Sequence, residues 1–449
     1  MKKLLYNKFT KHTSALFVHI QEVVAIYTTV AAEKLSLPSD LKYANRSQVI
    51  QAFLRNKTAS AGEISAMIGL SRPTVMKAIQ FFLSNGLLVS AGKGDSTCIG
   101  GKRPERFALS GEKFFLCIAL WPNDLRLHLY TIGGDLIDSI RLSPPLPESA
   151  WTAANDAGKL AETLLAKNRV SREDVLAVSL STAGIVDRKT GLLKYSSQSP
   201  SWGTDVPLWE YLRLYFAQDT MIFLENAGKM TARPLLLEPE LTGKRILVIF
   251  ACWGLSSCMI EKNHILSGKN SLIGEIGHMV IDPHDSEPCG CGSRGCFERL
   301  VSAGRLQRLL KEQAARFPES ALLRQPVEDL TIPGVFAASE TGDPLARFLT
   351  GYLAENFTQA LRNISLVFDP DLVVFQGDYA YADPYFDHCL RENLSSFRYF
   401  PSSAPFDIRY DRRPLNELDA LGSYIALMDQ FFDSPELYRD PQAGDSAAT

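Results

Sequence analysis

Between Gly274 and Glu298 the chain reads G-E-I-G-H-M-V-I-D-P-H-D-S-E-P-C-G-C-G-S-R-G-C-F-E, the densest run of reactive side chains in its 449 residues. His278, Cys289, Cys291 and Cys296 fall within nineteen residues, with glycines and Pro288 turning the chain between them. One imidazole and three thiolates form a tetrahedral donor set, the ligand group of closed structural Zn2+ sites. His264 and His284 lie nearby, and His284 is the alternative imidazole donor. Glu275 and Glu298 flank the cluster. They read as carboxylates that a metal-held loop presents to a ligand pocket, or as supports for the metal ligands themselves.

The elements that must carry this loop divide unevenly in charge. Residues 1–110 hold 15 Lys+Arg against 6 Asp+Glu, and the remainder 32 against 44. A basic amino-terminal module on an acidic body points to nucleic-acid contact at one end. The remaining cysteines are scattered among apolar neighbours and read as buried free thiols of a cytoplasmic protein. Lys2, Lys3, Lys8 and Lys11 precede an apolar stretch, but His19, Gln21 and Glu22 break it into pieces too short to span a bilayer. Residues 13–34 read as a largely buried helix within an extension covering 1–44.

Residues 45–110 read as a winged helix-turn-helix. Val49, Ile50, Phe53 and Leu54 mark one helix face. Ser60 with Glu63 forms a capping box that opens a second helix, and Gly69-Leu70 makes the turn. Ser71 caps a third helix with Pro73 in its first turn. Arg72, Thr74, Lys77 and Gln80 lie on that helix's exposed face, suited with Ser71 to a major groove. Lys102 and Arg103, at the tip of the following hairpin, suit an adjacent minor groove. The alternatives are a winged helix used for protein contact or a solvated basic face.

From Lys113 onward, three strands over 114–120, 125–130 and 136–142 are followed by α/β units, and a similar start recurs at 245–250. This predicts an α/β fold duplicated into two lobes around a cleft, at 111–235 and 236–433. Residues 434–449 are polar and read as a flexible tail.

The winged helix, G-G-K-R-P at 100–104, S-T-A-G-I-V-D at 181–187, G-E-I-G-H-M at 274–279 and C-G-C-G-S-R-G-C-F-E at 289–298 resemble the ROK family of bacterial sugar-gene repressors and sugar kinases. The resemblance covers residues 45–430 and implies an actin-like, ribonuclease H-like fold of the sugar-kinase type. It also implies that Glu275, His278 and Glu298 contact sugar hydroxyls, together with Asn226, while Gly184 lies in the loop lining the pocket. The chain departs from the kinase pattern in four places. Where the kinases place a general-base Asp, this chain has Ala227, whose methyl group accepts no proton. The first phosphate loop is replaced by Ala119-Leu120-Trp121-Pro122-Asn123, and the second by Cys252-Trp253-Gly254-Leu255-Ser256. The late Gly-Gly pair reads Gln376-Gly377.

The expectation is a sugar-responsive DNA-binding regulator, a repressor of carbohydrate genes and not an enzyme. It would bind double-stranded operator DNA as a homodimer or homotetramer, with a sugar or sugar derivative as effector. The alternatives are an ATP-dependent sugar kinase carrying a DNA-binding appendage, and a regulator controlled by a protein partner of sugar transport.

Overall fold

The computed structural model describes residues 38–56, 58–93, 103–143, 147–397 and 406–438. The helix read over 13–34, Lys102, and the tail beyond 438 lie outside these residues.

The first domain contains α1 (Pro38–Arg55), β1 (Thr58–Ser60), α2 (Ala61–Ile68), α3 (Arg72–Ser84), β2 (Leu88–Lys93) and β3 (Glu105–Leu109). The Glu63 N–H donates to Ser60 Oγ at 3.3 Å, and the Ser60 N–H donates to the Glu63 carboxylate at 2.7 Å. These are the two bonds of the capping box. Apolar residues at helical spacing, Val49, Ile50, Phe53, Ile64, Val75, Ile79 and Phe82, are fully buried between the three helices. The wing is a three-stranded sheet in the order β1-β3-β2. β1 is too short for alternation to announce it, and α1 starts at Pro38, so the boundary drawn at residue 45 falls inside a helix.

The body holds two sheets. The first half comprises β4 (Phe114–Trp121), β5 (Asp124–Thr131), β6 (Leu136–Leu142), α4 (Ala150–Lys167), β7 (Val175–Thr182), β8 (Ile185–Asp187), β9 (Leu192–Tyr195), α5 (Leu208–Arg213), β10 (Met221–Asn226) and α6 (Ala227–Ala232). The second comprises β11 (Ile246–Ala251), β12 (Leu255–Glu261), β13 (His264–Ile265), α7 (Phe297–Leu300), α8 (Ala303–Gln313), α9 (Ile332–Glu340), α10 (Pro344–Phe368), β14 (Leu372–Gly377), α11 (Pro384–Ser395), β15 (Asp407–Asp411) and α12 (Leu415–Phe432). The sheets run β6-β5-β4-β7-β10 and β13-β12-β11-β14-β15. Each is an antiparallel meander extended by two parallel strands, so the two halves repeat one topology. The fully apolar β4 and β11 are the central strands, buried along their whole length.

Two expectations are corrected. α12 does not belong to the second lobe, drawn to residue 433, but packs on α6, β7 and β4 of the first. A Cβ at Gly422 would stand 1.9 Å from the Met230 carbonyl oxygen, so only glycine allows α12 this close to α6. The tail read as beginning at 434 is also ordered through Tyr438. Tyr438 is 4 % exposed, and its ring meets Phe82 edge-on at 6.4 Å. Its carbonyl accepts from Arg46 Nη1 at 2.5 Å. Phe431 and Phe432 pack on Phe115, so the end of the chain joins the first lobe to the helical domain. We therefore expect Tyr438→Ala to destabilise that domain by about 3 kcal/mol and to expose residues 38–109 to limited proteolysis. Wild-type digestion kinetics would show that the domain docks by other contacts.

Candidate functional site

The G-E-I-G-H segment lies against β12. The Ser257 N–H donates to the Gly274 carbonyl at 2.6 Å. Gly274 has φ of 107°, and a Cβ there would meet the Ser257 carbonyl oxygen at 2.1 Å. Any side chain would push the segment off the strand. A 3₁₀ turn over Ile276–His278 then aims the imidazole at the cysteine loop. That loop is folded back by isolated pairings of Val280 with Cys296 and of Pro288 with Arg294. It is tied to α7 and α8 by ion pairs of Glu287 with Arg299 and Arg308, and of Asp285 with Arg305.

The ligand atoms of His278, Cys289, Cys291 and Cys296 all lie within 4.8 Å of one another. Cys289 Sγ is 3.6 Å from His278 Nδ1, and the sulfurs of Cys291 and Cys296 are 3.6 Å apart. Tetrahedral metal–sulfur bonds of about 2.3 Å require similar separations. The donor set therefore fits one metal ion. His284 lies outside the group. Burial raises the pKa of the Cys289 and Cys296 thiols, the reverse of what a bound cation would do.

Glu298, in α7, adjoins the same cluster. Its Oε1 accepts from Cys289 Sγ at 3.3 Å and lies 3.7 Å from His278 Nδ1, while its Oε2 is 3.5 Å from the Leu255 N–H. Glu275 is half-buried. Desolvation raises its pKa, His278 and Lys229 oppose that rise, and Glu298 adds to it. Asn226 caps α6, its Oδ1 accepting from the Gly228 and Lys229 N–H groups at 2.9 and 3.3 Å. Its Nδ2 donates to the Gly184 carbonyl at 2.8 Å, which ties the two pocket positions together. Asn226 is thus a helix cap as well as a candidate ligand contact. Lys229 was missed by sequence reasoning. It is 6 % exposed and near Glu275, and a lysine three residues beyond a capping Asn, in an otherwise apolar turn, was the available signal.

Ala227 is 2 % exposed and packs in one apolar cluster with Ala119, Trp121 and Phe250. The Trp121 ring meets Phe250 at 6.1 Å and Trp253 at 5.1 Å, both edge to face. The Arg126 guanidinium lies 4.4 Å over the indole. The indole N–H donates to Ser181 Oγ at 3.1 Å, and that hydroxyl donates to Asp419 of α12 at 2.5 Å. Burial pushes the Asp419 carboxyl up to about 7, against the pull of Ser181 and Arg126. The positions that resemble a general base and a first phosphate loop are therefore filled by a methyl group and an indole. Neither moves a proton or binds phosphate.

On the helical domain, Arg72, Lys77 and Gln80 are exposed along α3, and Arg103 is exposed before β3. Ser71 and Thr74 are partly committed to the cap, with hydroxyls 2.8 Å apart. Arg106 is engaged internally, with Glu63 at 2.9 Å and the Thr58 carbonyl at 2.7 Å.

Comparison with known proteins follows the same division. The ROK family profile matches residues 148–412. A glucokinase of Halalkalibacterium halodurans is 22% identical over 271 residues, covering 59% of this chain and 80% of its own. The transcriptional dual regulator NagC of Escherichia coli is 22% identical over 393 residues, covering 86% of this chain and 92% of its own. A crystal structure of a ROK family transcriptional regulator, described as a homolog of the E. coli MLC protein, aligns with TM-score 0.69 and 17% identity, over 88% of this chain and 99% of that one.

Cys291 is the exposed member of the donor set, so its replacement disturbs packing least. We expect Cys291→Ser to lose stoichiometric metal, measured by elemental analysis, and to lower the melting temperature by several degrees. Full metal content in the variant would remove Cys291 from the ligand set.

Proposed function

The chain belongs to the ROK family, and from that premise we propose that it is a sugar-responsive transcriptional repressor acting on carbohydrate genes, with a body that binds sugar without phosphorylating it. The observation that carries this reading is the Trp121–Phe250–Trp253 contact over Ala227, beside an intact loop holding Glu275, His278 and Glu298. Binding groups are kept where transfer groups are gone. The relatives divide consistently with this: the glucokinase match covers much less of the chain than the match to NagC.

In this reading α3 enters a major groove with Arg72, Lys77 and Gln80 towards bases and phosphates, Ser71 and Thr74 shape its start, and Arg103 with Lys102 extends to the neighbouring groove. A homodimer would read two half-sites roughly 34 Å apart, one helical turn, and a homotetramer would pair two such dimers. His278, Cys289, Cys291 and Cys296 would hold zinc, which when bound clamps the loop as a rigid wall. Glu275 and Glu298 would accept hydrogen bonds from vicinal sugar hydroxyls, His278 would offer its ring edge, and the Asn226–Gly184 pair would close the other side. A sugar with unequal affinity for two lobe arrangements shifts the population between them, and with it operator affinity.

Three measurements test this. Operator binding across a panel of sugars should weaken by about 5- to 150-fold with one of them, and Glu298→Gln should abolish that response while leaving sugar-free binding intact. Operator affinity indifferent to every sugar, combined with capture of a transport protein, would favour control by a protein partner. Arg72→Ala with Lys77→Ala should reduce the slope of log affinity against log salt by about 2, and an unchanged slope would remove α3 from the interface. Ala227→Asp alone should give no sugar-dependent ATP consumption, because Trp121 still fills the phosphate position. Turnover in that variant would favour the kinase reading.

A further inference from the structure

The cleft contains a cavity of about 420 Å³ whose lining includes Glu298, Trp253, Gln198 and Asp378. Its lining includes residues 252–255, the stretch that stands in place of the second phosphate loop, so it lies on the side of the cleft that the resemblance to kinases assigns to phosphate. The side chains of Gln198 and Asp378 make no hydrogen bond with another described residue. A carboxamide and a carboxylate thus face the cavity with their hydrogen-bonding capacity unused.

The lining disfavours a polyanion. Carboxylates stand at both ends, and the arginine beside them, Arg299, is paired with Glu287. An indole bordered by carboxyl, carboxamide and hydroxyl groups has the character of a carbohydrate subsite: the aromatic surface takes the C–H face of a pyranose, and the polar groups take its hydroxyls in pairs. The volume of about 420 Å³ falls within the roughly 300–1,000 Å³ of cavities that hold ligands of drug size.

We propose that this half of the cleft is a second sugar subsite, and that the effector is a disaccharide or comparable glycoside whose first ring meets Glu298 and whose second lies against Trp253, Gln198 and Asp378. The inference rests on the sugar-responsive reading above and specifies its ligand class. Burial pushes the Asp378 carboxyl up to about 6, so near neutrality it readily changes between accepting and donating a hydrogen bond.

The test is calorimetry on the full chain with maltose, cellobiose, xylobiose, sucrose and N,N′-diacetylchitobiose, each against its constituent monosaccharides, and with ATP. One disaccharide should bind at least about tenfold more tightly than its monosaccharides. Asp378→Ala and Gln198→Ala should each remove most of that gain while leaving monosaccharide affinity within about twofold, with melting curves confirming that both variants fold. The subsite is overturned if a monosaccharide binds as tightly as every disaccharide, if the variants weaken both classes equally, or if ATP is the ligand that Asp378→Ala affects. Binding of monosaccharides alone would overturn the second subsite and leave the sugar-responsive reading standing. Binding of no sugar of either size would overturn both.

Discussion

The edge-to-face packing of Trp121 on Phe250 and Trp253 is the contact on which the rest of the cleft depends. Trp121 ends the first strand of the first lobe, while Phe250 and Trp253 border the corresponding turn of the second. In a duplicated fold these two turns face each other across the cleft, where a phosphate-transferring relative needs glycine backbone on both sides. An indole in one and aromatic rings in the other fill that space with apolar volume. Aromatic pairs of this geometry contribute about 0.5–1.5 kcal/mol beyond area burial. The contact thus fills that space and also joins the lobes. What remains open lies to its side, between Glu298 and Asp378.

The same contact continues into the C-terminal helix. Trp121 bonds Ser181, and Ser181 bonds Asp419 on α12. Ten residues along the same helix, Asp429 lies 3.4 Å from Arg233, which follows α6. Phe431 and Phe432 then reach Phe115, and Tyr438 reaches Phe82 in the helical domain. One continuous segment, α12 and the turn through Tyr438, therefore touches the cleft floor, the helix capped by Asn226 and the core of the winged helix. In the proposed role, this contiguity is a physical route that would couple lobe arrangement to operator geometry.

Much of this was legible in the sequence because local chemistry dictated it. The capping box at Ser60 and Glu63, the apolar β4 and β11, and the dense run from His278 to Cys296 each carry a pattern that short-range physics produces. The misses were long-range. α12 looks like any amphipathic helix following a strand, and nothing nearby in sequence says that Gly422 will meet Met230 in the first lobe. Tyr438 sits in a polar tail, and its burial depends on Phe82, more than three hundred residues away. At the site, Ala227 and Trp121 were visible as departures, but their packing against Phe250 and Trp253 depends on how the two lobes close. The cap at Asn226 was hidden for a related reason: a resemblance that assigns a residue to ligand says nothing of what else its amide holds.

That double engagement of Asn226 bears on how a binding event is felt. Its Oδ1 is committed to the first turn of α6, and its Nδ2 to the Gly184 carbonyl. In the proposed role, a sugar hydroxyl competing for this amide perturbs the start of α6 directly. The clearance at Gly422 leaves α6 and α12 no room to move independently, so a displacement of one is imposed on the other. An enzyme would spend the sugar's binding energy on stabilising a transition state. In the proposed role, with Ala227 in place of a base, there is no such state to stabilise, and differential affinity would act on the lobe equilibrium alone. In that role, a coupling of about 1–3 kcal/mol delivered through α12 would change operator affinity by about one to two orders of magnitude.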